Sequence, residues 1–205
     1  MNKTKRNILD KAQEMFNEYG VKETTLRKIA QALEISQGNL NYHFKTKAEI
    51  IEDLYFELVA KMDENMARLT MDQPILSYLY ASSLSTMECF FEYRFLMKDF
   101  YKLLSENQKI KKHYMGLQKL RGEQFASLFQ VMINTDLIRA EEFEGEYQRL
   151  YERMTLLGDN WINAQVLVSL PNNDFIAYSC NLLFEMIYPY LTANGKTTYR
   201  NLKLT

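Results

Sequence analysis

Residues 24–47 read TTLRKIAQALEISQGNLNYHFKTK, and this stretch decides the fold because it predicts two short helices joined by a tight turn. A threonine at the start, Thr24 or Thr25, can accept a hydrogen bond from a free N–H of the first helix. Apolar residues then recur at helical spacing and predict one buried face: Leu26, Ile29, Ala30 and Leu33.

The second helix of the stretch is predicted to begin after Ser36, whose hydroxyl can cap its first turn. Leu40 and Phe44 would turn toward the core, which leaves a polar set pointing away from it: Gln37, Asn39, Asn41, Tyr42 and His43. A slim helix with hydrogen-bonding side chains near its start is what the reading of base edges in a major groove requires. The stretch therefore predicts a helix-turn-helix that contacts DNA.

Motifs in and around this stretch resemble the amino-terminal domain of the TetR family of repressors, over roughly residues 4–60. They are Phe16 with Asn17-Glu18-Tyr19-Gly20, Thr24-Thr25, Ile29-Ala30, Ile35-Ser36, Gly38-Asn39-Leu40 and His43-Phe44-Lys45-Thr46-Lys47. The resemblance implies an all-α homodimer of about nine helices. A three-helix DNA-binding domain would occupy residues 1–47, and a helical ligand-binding and dimerisation domain would occupy residues 48–205, beginning with a connecting helix over 48–69.

The resemblance also implies which residues contact DNA. Those expected to face bases or nearby backbone are Ser36, Gln37, Asn39, Asn41 and Tyr42. Arg27 would reach a base or phosphate from the preceding helix, and His43 and Lys47 would touch phosphates. Lys47 has separate support, because Thr46-Lys47-Ala48-Glu49 is a capping box whose free N–H groups also favour an anion. Any one of these polar residues alone is more often a solvated surface residue.

Two positions depart from the family's pattern. Glu34 stands in the turn where the family usually has glycine, so a residue with a side chain is predicted to adopt left-handed backbone at a cost of about 1 kcal/mol. Asn41 stands where the family commonly has tyrosine, and its amide can pair with adenine or bind a phosphate. The operator sequence therefore cannot be carried over from the family.

Charge is distributed unevenly along a chain that is nearly neutral overall, with 25 basic and 26 acidic residues. Residues 1–47 hold nine Lys or Arg and five Asp or Glu, a net charge of +4, which leaves −5 on the remainder. A basic head on an acidic body is expected if only the head meets phosphates.

Composition narrows the remaining classes. The 205 residues are 47% apolar with seven glycines and three prolines, which favours a helical protein with a sizeable core. Cys89 and Cys180 are far apart, which argues against a disulfide scaffold or a thiolate metal site. No apolar run approaches the roughly 20 residues of a membrane span, and no apolar segment follows the basic start. We expect a soluble, cytoplasmic protein without membrane partner, metal or cofactor.

The body is predicted to contain long helices. The connecting helix carries an apolar stripe and runs to about Leu69: Ile50, Ile51, Leu54, Tyr55, Leu58 and Met62. A break at Asp72-Gln73-Pro74 precedes a helix to about Leu104, and further helices are predicted over 108–134, with an interruption near Gly116, and over 142–170 and 173–193. Asn194-Gly195 would close the last one. The acidic group Glu141, Glu142, Glu144 and Glu146 is interpreted as the first turn of a helix rather than as a metal site.

Apolar and aromatic residues predict a cavity for a largely apolar small-molecule effector. They are Met62, Met66, Met87, Phe90, Phe91, Met97, Tyr101, Tyr114, Phe125 and Phe129. Arg94 is predicted on the same face as Met87 to Tyr101, where a buried guanidinium needs a partner such as a ligand carboxylate or an internal Glu. Ordinary core packing is the alternative for each of these residues.

The last two predicted helices carry apolar stripes that two subunits could pair into a four-helix bundle. They comprise Met154, Leu157, Trp161, Ala164 and Val168 on one helix and Phe175, Leu182, Met186 and Tyr190 on the other. Packing within one chain would explain some of them equally well.

Two other classes compete with a regulator. An enzyme is disfavoured because the chain has two histidines, His43 and His113, and contains no Gly-rich phosphate loop, His-Glu-x-x-His or Gly-x-Ser-x-Gly motif. A helical interaction module that has lost specific DNA binding is the other alternative. Glu34 and Asn41 favour it, whereas the polar helix and the basic head argue against it.

Overall fold

The computed structural model describes residues 2–69 and 73–202, and these ranges are all-α as predicted. Eleven α-helices follow one another there: α1 (Lys3–Glu23), α2 (Leu26–Ala32), α3 (Gln37–His43), α4 (Lys47–Arg68), α5 (Ile75–Glu92), α6 (Arg94–Lys98), α7 (Phe100–Glu106), α8 (Gln108–Asn134), α9 (Glu146–Asn160), α10 (Asn172–Glu185) and α11 (Ala193–Arg200). Two 3-10 helices, Trp161–Leu167 and Tyr188–Tyr190, flank α10. The number of helices exceeds nine because long predicted helices are divided.

The polar caps predicted for the helix-turn-helix are confirmed. Thr25 caps α2, its hydroxyl accepting from an N–H three residues on at 3.2 Å, and Ser36 caps α3 in the same way at 3.1 Å. Thr24, the alternative cap, is buried and donates its hydroxyl to the carbonyl of Gly20 at 2.9 Å. The bonds of Thr25 and Ser36 satisfy N–H donors that the starts of short helices would otherwise leave free, and the Thr24 bond satisfies a carbonyl near the end of α1.

Glu34 adopts the left-handed backbone predicted for the turn, with φ of 55°. The turn is closed by two backbone bonds, from the N–H of Glu34 to Gln31 at 3.1 Å and from the N–H of Ile35 to Ala30 at 3.0 Å. The two helices are thereby held at a fixed angle although no glycine is present.

The connecting helix α4 docks against α1. Its predicted stripe is buried apart from the half-buried Ile51: Ile50, Leu54, Tyr55, Leu58 and Met62. Two ion pairs add to this packing, Lys5 with Asp53 at 2.7 Å and Arg6 with Glu57 at 2.6 Å. Four charges of the head and of α4 thus stabilise the contact between these two helices.

Asn17 ties α1 to the junction between α5 and α6. Its amide nitrogen donates to the carbonyl of Glu92 at 2.8 Å, and its amide oxygen accepts from the N–H of Phe95 at 3.1 Å. The Phe95 ring also packs against Phe16, with ring centroids 5.1 Å apart. Two hydrogen bonds and a ring contact therefore join α1 to this junction.

The prediction of one helix from Pro74 to about Leu104 is wrong in its continuity. The chain leaves helical geometry at Tyr93 (φ −106°, ψ 33°) and at Asp99 (φ −121°, ψ 29°), which divides the segment into α5, α6 and α7. The apolar pattern continues across both breaks because each short helix buries its own apolar residues, so periodicity gives no warning.

The other predicted break points also need correction or restriction. Pro74 precedes α5 as expected, whereas Asp72 lies outside the described residues. The interruption expected near Gly116 is absent, and α8 runs through this position. Nothing lies within 4 Å of where a side chain at Gly116 would begin, so the glycine does not mark a close approach.

The helix that the sequence predicts from residue 142 begins one turn later, so most of the acidic group at 141–146 precedes it. Gly145, with φ of 76°, precedes α9, and only Glu146 belongs to its first turn. Glu146 is buried and binds the Arg139 guanidinium through both carboxylate oxygens, at 2.7 and 2.8 Å. This pairing lowers the pKa of Glu146 to about 2. Glu141 accepts a hydrogen bond from the N–H of Tyr147 at 2.8 Å.

The helices predicted over 142–170 and 173–193 correspond to α9 and α10, and both are shorter than predicted. The first changes from α to 3-10 geometry at Trp161, and the second ends at Glu185. Gly195, expected to close a helix, lies inside α11, where an added Cβ would fall 1.9 Å from the carbonyl oxygen of Leu137. This close approach joins α11 to the loop after α8, beside an isolated antiparallel bridge between Ile138 and Leu191.

Candidate nucleic-acid interface and ligand region

Helix α3 presents a polar surface at the edge of the head. Gln37 and Asn39 are exposed on its first turn, and Tyr42 is 81% exposed one turn further on. Leu40 and Phe44 are buried on the opposite side, as predicted. The exposed amides and hydroxyl can donate and accept, which is the chemistry that base edges in a major groove present.

The sequence predicts that Asn41 and His43 point away from the core, and the structure differs at both positions. Both are half-buried, and the Asn41 amide oxygen lies within the protein surface with no hydrogen-bond partner in the described residues. At about 100° per residue, Asn41 is only about 60° around the helix from Phe44, which explains its inward direction. Tyr42 lies on the opposite side of the helix, and the His43 ring packs edge-on against it, with centroids 5.2 Å apart.

Lys47 serves the structure of the head. Its ammonium donates to the carbonyl of Val21 at 2.5 Å and to that of Thr24 at 3.1 Å, which ties the start of α4 to the end of α1. The Thr46 half of the capping box predicted here is confirmed, because Thr46 accepts from the N–H of Glu49 at 3.2 Å. The Glu49 carboxylate accepts from the N–H of Lys45, one residue before the cap, at 2.7 Å. An ammonium has three donors, so one remains for a phosphate.

The positive charge of the head is divided between internal and exposed groups. Lys5, Arg6 and Lys11 form ion pairs with carboxylates. Four other cations are exposed and make no hydrogen bond or ion pair with a described residue: Lys3, Lys22, Arg27 and Lys45. The charge count does not distinguish Lys22 and Lys45 as exposed cations of the head, although Lys45 follows α3 directly and its position indicates a DNA contact.

The residues predicted to line a ligand cavity lie in different parts of the helical body. Because α5 ends at Glu92, the residues from Met87 to Tyr101 do not share one helical face. Phe91 stacks on Trp161, with centroids 6.3 Å apart, whereas Phe125 stacks on Phe129 on α8, at 4.0 Å. Those fully buried are Met62, Met87, Met97 and Phe129, those half-buried are Met66, Phe90, Phe91, Tyr114 and Phe125, and Tyr101 is exposed.

Arg94 makes its contacts within the chain with Phe91. Its guanidinium lies over the Phe91 ring, 5.2 Å from the centroid, and donates to the Phe91 carbonyl at 3.3 Å. The side chain is half-buried at the break between α5 and α6. Among the described residues an aromatic face and a carbonyl, rather than an internal Glu, contact this guanidinium, and a ligand carboxylate as its partner stays a prediction.

The structure reveals a buried polar cluster that the sequence did not. Asp159 is 6% exposed and accepts hydrogen bonds from the hydroxyls of Tyr114 and Tyr101, at 2.5 and 3.3 Å, both on Oδ2. Burial raises the pKa of Asp159 and also that of Tyr114. The stripe through Leu157 predicts that Asp159 faces the opposite way, about 200° around the helix, so no local pattern marks it.

Other kinds of site find no support in the parts of the chain that are described. In residues 2–69 and 73–202 no group of three or more His, Cys, Asp or Glu is placed to hold a metal ion. Cys89 and Cys180 are buried free thiols. Within the same ranges, no helix has the length and apolar character that crossing a membrane requires.

The head and the helical body together define a class of protein, the helix-turn-helix transcriptional regulators that bind DNA. Two family profiles match the chain. The one described as "Bacterial regulatory proteins, tetR family" matches residues 8–54, and the TetR profile described as "Bacterial transcriptional repressor" matches residues 57–199. The chain belongs to the TetR family of bacterial transcriptional regulators.

Curated relatives resemble mainly the head. The chain is 32% identical over 75 residues to the HTH-type transcriptional repressor Rv1474c of Mycobacterium tuberculosis, covering 37% of this chain and 38% of that protein. It is 37% identical over 57 residues to the tetracycline repressor protein class D of Escherichia coli, covering 28% and 26% respectively. The chain thus spans well under half the length of these relatives.

Solved structures share the whole fold. A TetR-family regulator from Marinobacter aquaeolei VT8 superimposes with a TM-score of 0.84 at 24% identity, covering 97% of each chain. A putative regulator from Saccharomonospora viridis, solved in complex with choline, gives a TM-score of 0.72 at 18% identity and covers 92% of this chain and 97% of its own. At these identities the likeness establishes the fold alone.

Proposed function

We propose that this protein is a repressor that binds a palindromic operator as a homodimer and is released by a small, largely apolar effector. The observation that carries the proposal is the exposed polar surface of α3, held rigidly by the Ser36 cap and the Glu34 turn. Gln37, Asn39 and Tyr42 would read bases, and Arg27 would reach a base or phosphate beside them.

Phosphate contacts would fix the register of the head on the duplex. The exposed cations Lys22 and Lys45, together with the remaining donor of Lys47, supply the positive charge for these contacts. His43 adds a ring nitrogen at the end of α3. Asn41 has a supporting role in this proposal, because its amide oxygen faces the protein rather than the groove.

A homodimer would use the exposed apolar surface of the carboxyl-terminal helices. Large apolar side chains are exposed there at Leu156 (59%), Val166 (87%), Leu167 (83%), Tyr178 (44%) and Leu182 (42%). Of the residues predicted for the interface, Leu157 and Met186 are half-buried and available in part. Trp161 is excluded from it, because this side chain is 2% exposed and packs against Phe175 of the same chain.

Release of DNA by an effector is a shift of population between two states of the dimer. The effector must bind the released state better than the operator-bound state, and a hundredfold release requires a preference of about 2.7 kcal/mol. The Asn17 contacts to Glu92 and Phe95 supply a physical connection between the body and the head. In this proposal, the effector in the body and the operator at the head each favour one position of α6 relative to α1.

The test is a selection of random duplexes by the purified full chain, followed by sequencing of the retained DNA. Enrichment of a palindrome whose half-sites are about one helical turn or more apart supports the proposal. Retention of DNA without any enriched sequence, from a folded dimer at low salt, contradicts it and favours the helical interaction module.

A further inference from the structure

A cleft of about 440 Å³ lies between the end of α8 and the start of α9. This volume is in the range that holds a small organic molecule. The apolar wall comes mainly from one side of α8, where Phe125, Phe129 and Ile133 follow one another at helical spacing, and Tyr147 lines the α9 side. Phe125 and Ile133 are half-buried and therefore offer apolar surface to a ligand, whereas Phe129 and Tyr147 are buried behind them.

The aromatic wall of the cleft is fixed by contacts between its rings. Phe125 stacks on Phe129 with centroids 4.0 Å apart, and Phe129 packs against Tyr147 at 5.0 Å. The Tyr147 hydroxyl donates to the carbonyl of Arg139 at 2.5 Å, which anchors the last ring to the loop before α9. A wall that is already held by its neighbours loses little freedom when a ligand binds, so the site is preorganised.

Glu141 is the one side chain with a formal charge among the described residues that line this cleft. One of its carboxylate oxygens accepts from the N–H of Tyr147 at 2.8 Å, and the other makes no hydrogen bond or ion pair within the described ranges. The cation that precedes it in the loop, Arg139, is occupied, because it binds Glu146 at 2.7 Å and contacts Glu142 at 3.2 Å. The cleft therefore carries a negative charge that its own lining does not neutralise.

Two exposed glutamines add neutral acceptors to the lining, Gln130 from α8 and Gln148 from α9. Their amide nitrogens are used outside the cleft lining, in bonds to Asn134 at 3.1 Å and to Glu152 at 3.3 Å. Their amide oxygens make no hydrogen bond with a described residue, so they remain as acceptors. Together with the second oxygen of Glu141 they give the lining three acceptors, the number of donors that an ammonium group carries.

The neighbouring cleft of about 300 Å³ does not select for charge in the same way. Its lining includes Lys119 and Glu123, and the effects of these opposite charges offset each other. Its tyrosine, Tyr151, already donates its hydroxyl to the Gln118 side chain at 2.7 Å. Selection for a positively charged ligand is therefore expected in the larger cleft.

We propose that the larger cleft binds an amphipathic amine in its ammonium form, with the ammonium on Glu141 and the apolar body along Phe125 and Ile133. Charge-assisted hydrogen bonds favour an ammonium over a hydroxyl at this position, and a carboxylate would be repelled. That this amine is the effector rests on the proposed function, whereas its binding does not.

The test measures the binding of three probes to the full chain by calorimetry. The probes differ in their polar group: 4-phenylbutylammonium, 4-phenylbutanol and 4-phenylbutanoate. The ammonium is expected to bind about tenfold more tightly than the alcohol, because a hydrogen bond to a charged group contributes more than a neutral one. The carboxylate should bind more weakly than the alcohol, and added salt should narrow both differences.

Substitutions of Glu141 locate the charge that selects the ligand. Glu141→Gln retains an oxygen that can accept from the N–H of Tyr147, so it should bring the ammonium within about twofold of the alcohol and leave the alcohol unchanged. Glu141→Lys should reverse the order of ammonium and carboxylate. The matched control is Glu144→Lys, which changes an exposed carboxylate of the same loop outside the cleft lining and should preserve the order.

Phe125→Leu addresses the apolar wall. It should weaken all three probes by a similar factor of about threefold, because aromatic surface is lost while the charge is unchanged. The buried carboxylate of Asp159 is the rival anchor for a cation in the body. Equal binding of the three probes, tightest binding of the carboxylate, or loss of the preference in Asp159→Asn but not in Glu141→Gln would each overturn the proposal.

The proposed function fails independently of this site. If the ammonium binds through Glu141 but does not release the selected palindrome, the cleft assignment stands and the effector assignment is lost. If no palindrome is selected, the regulator proposal fails, while calorimetry still decides the ligand class.

Discussion

Glu34 holds a left-handed backbone in the turn between α2 and α3, with φ of 55°. This conformation costs a residue with a side chain about 1 kcal/mol, and glycine avoids the cost. We therefore expect Glu34→Gly to raise the free energy of unfolding by up to about 1 kcal/mol in urea denaturation. Glu34→Ala retains the Cβ and is the control. An equal effect of both substitutions would show that the backbone is not strained.

Two lysines that flank α3 should respond differently to removal. The Lys45 side chain is exposed and pairs with no group of the described residues, so Lys45→Ala should weaken binding to all duplexes alike and reduce the slope of log K against log salt by about one. Lys47→Ala should in addition lower stability by about 1 to 2 kcal/mol, because two carbonyl contacts are lost. Binding titrations at several salt concentrations and urea unfolding separate the two effects. A stable Lys47→Ala variant would contradict the structural role.

At the scale of single residues, sequence predicts what depends on near neighbours. The caps at Ser36 and Thr46 follow from residues within three positions, and both are present. Asp159 takes its partners from 45 and 58 residues away, so no local pattern marks its burial. The inward direction of Asn41 is likewise decided by packing, since polarity alone predicts exposure.

At the scale of helices, α11 depends on the absence of one side chain. A Cβ at Gly195 would lie 1.9 Å from the Leu137 carbonyl oxygen, which is backbone and cannot rotate away. We expect Gly195→Ala to lower the free energy of unfolding by roughly 1 to 3 kcal/mol and to increase protease cleavage near α11. Gly158→Ala is the matched control, because nothing lies within 4 Å and the α9 interior should gain about 0.5 to 1 kcal/mol. Similar effects of both would refute the close approach.

The positions of helices were predictable where strong signals mark their ends. The starts of α3 and α4 follow from the caps at Ser36 and Thr46. The breaks at Tyr93 and Asp99 carry no glycine or proline, and the buried residues continue through them. The change to 3-10 geometry at Trp161 likewise leaves the apolar pattern intact while rotating each following side chain, because this helix has about three residues per turn.

At the scale of the whole molecule, the proposed dimer depends on the exposed apolar surface of α9, the first 3-10 helix and α10. Leu182→Glu should weaken association, because a twofold axis would place two copies of the introduced charge in one interface. Light scattering after gel filtration measures the mass. Leu120→Glu, at a similarly exposed leucine of α8, is the control and should leave the mass unchanged. A dimer that persists in Leu182→Glu at low micromolar concentration would place the interface elsewhere.

The head and body are joined by contacts suited to transmit a shift. Asn17 of α1 binds backbone groups on both sides of the α5–α6 break, and α6 lies between this contact and the 3-10 helix at Trp161. Packed elements therefore run from the 3-10 helix at Trp161 through α6 to α1 in the head. The sequence predicted both domains but not this connection, which joins residues 75 or more positions apart.

Base reading by α3 is the central claim, and Gln37→Ala tests it most directly. The variant and the wild-type chain would be titrated against the selected palindrome and against a random duplex of the same length and salt concentration. We predict that the variant loses about 1 to 3 kcal/mol of affinity for the palindrome and almost none for random DNA. An equal loss on both duplexes would contradict the claim, because Gln37 would then contribute only to non-specific contact with DNA.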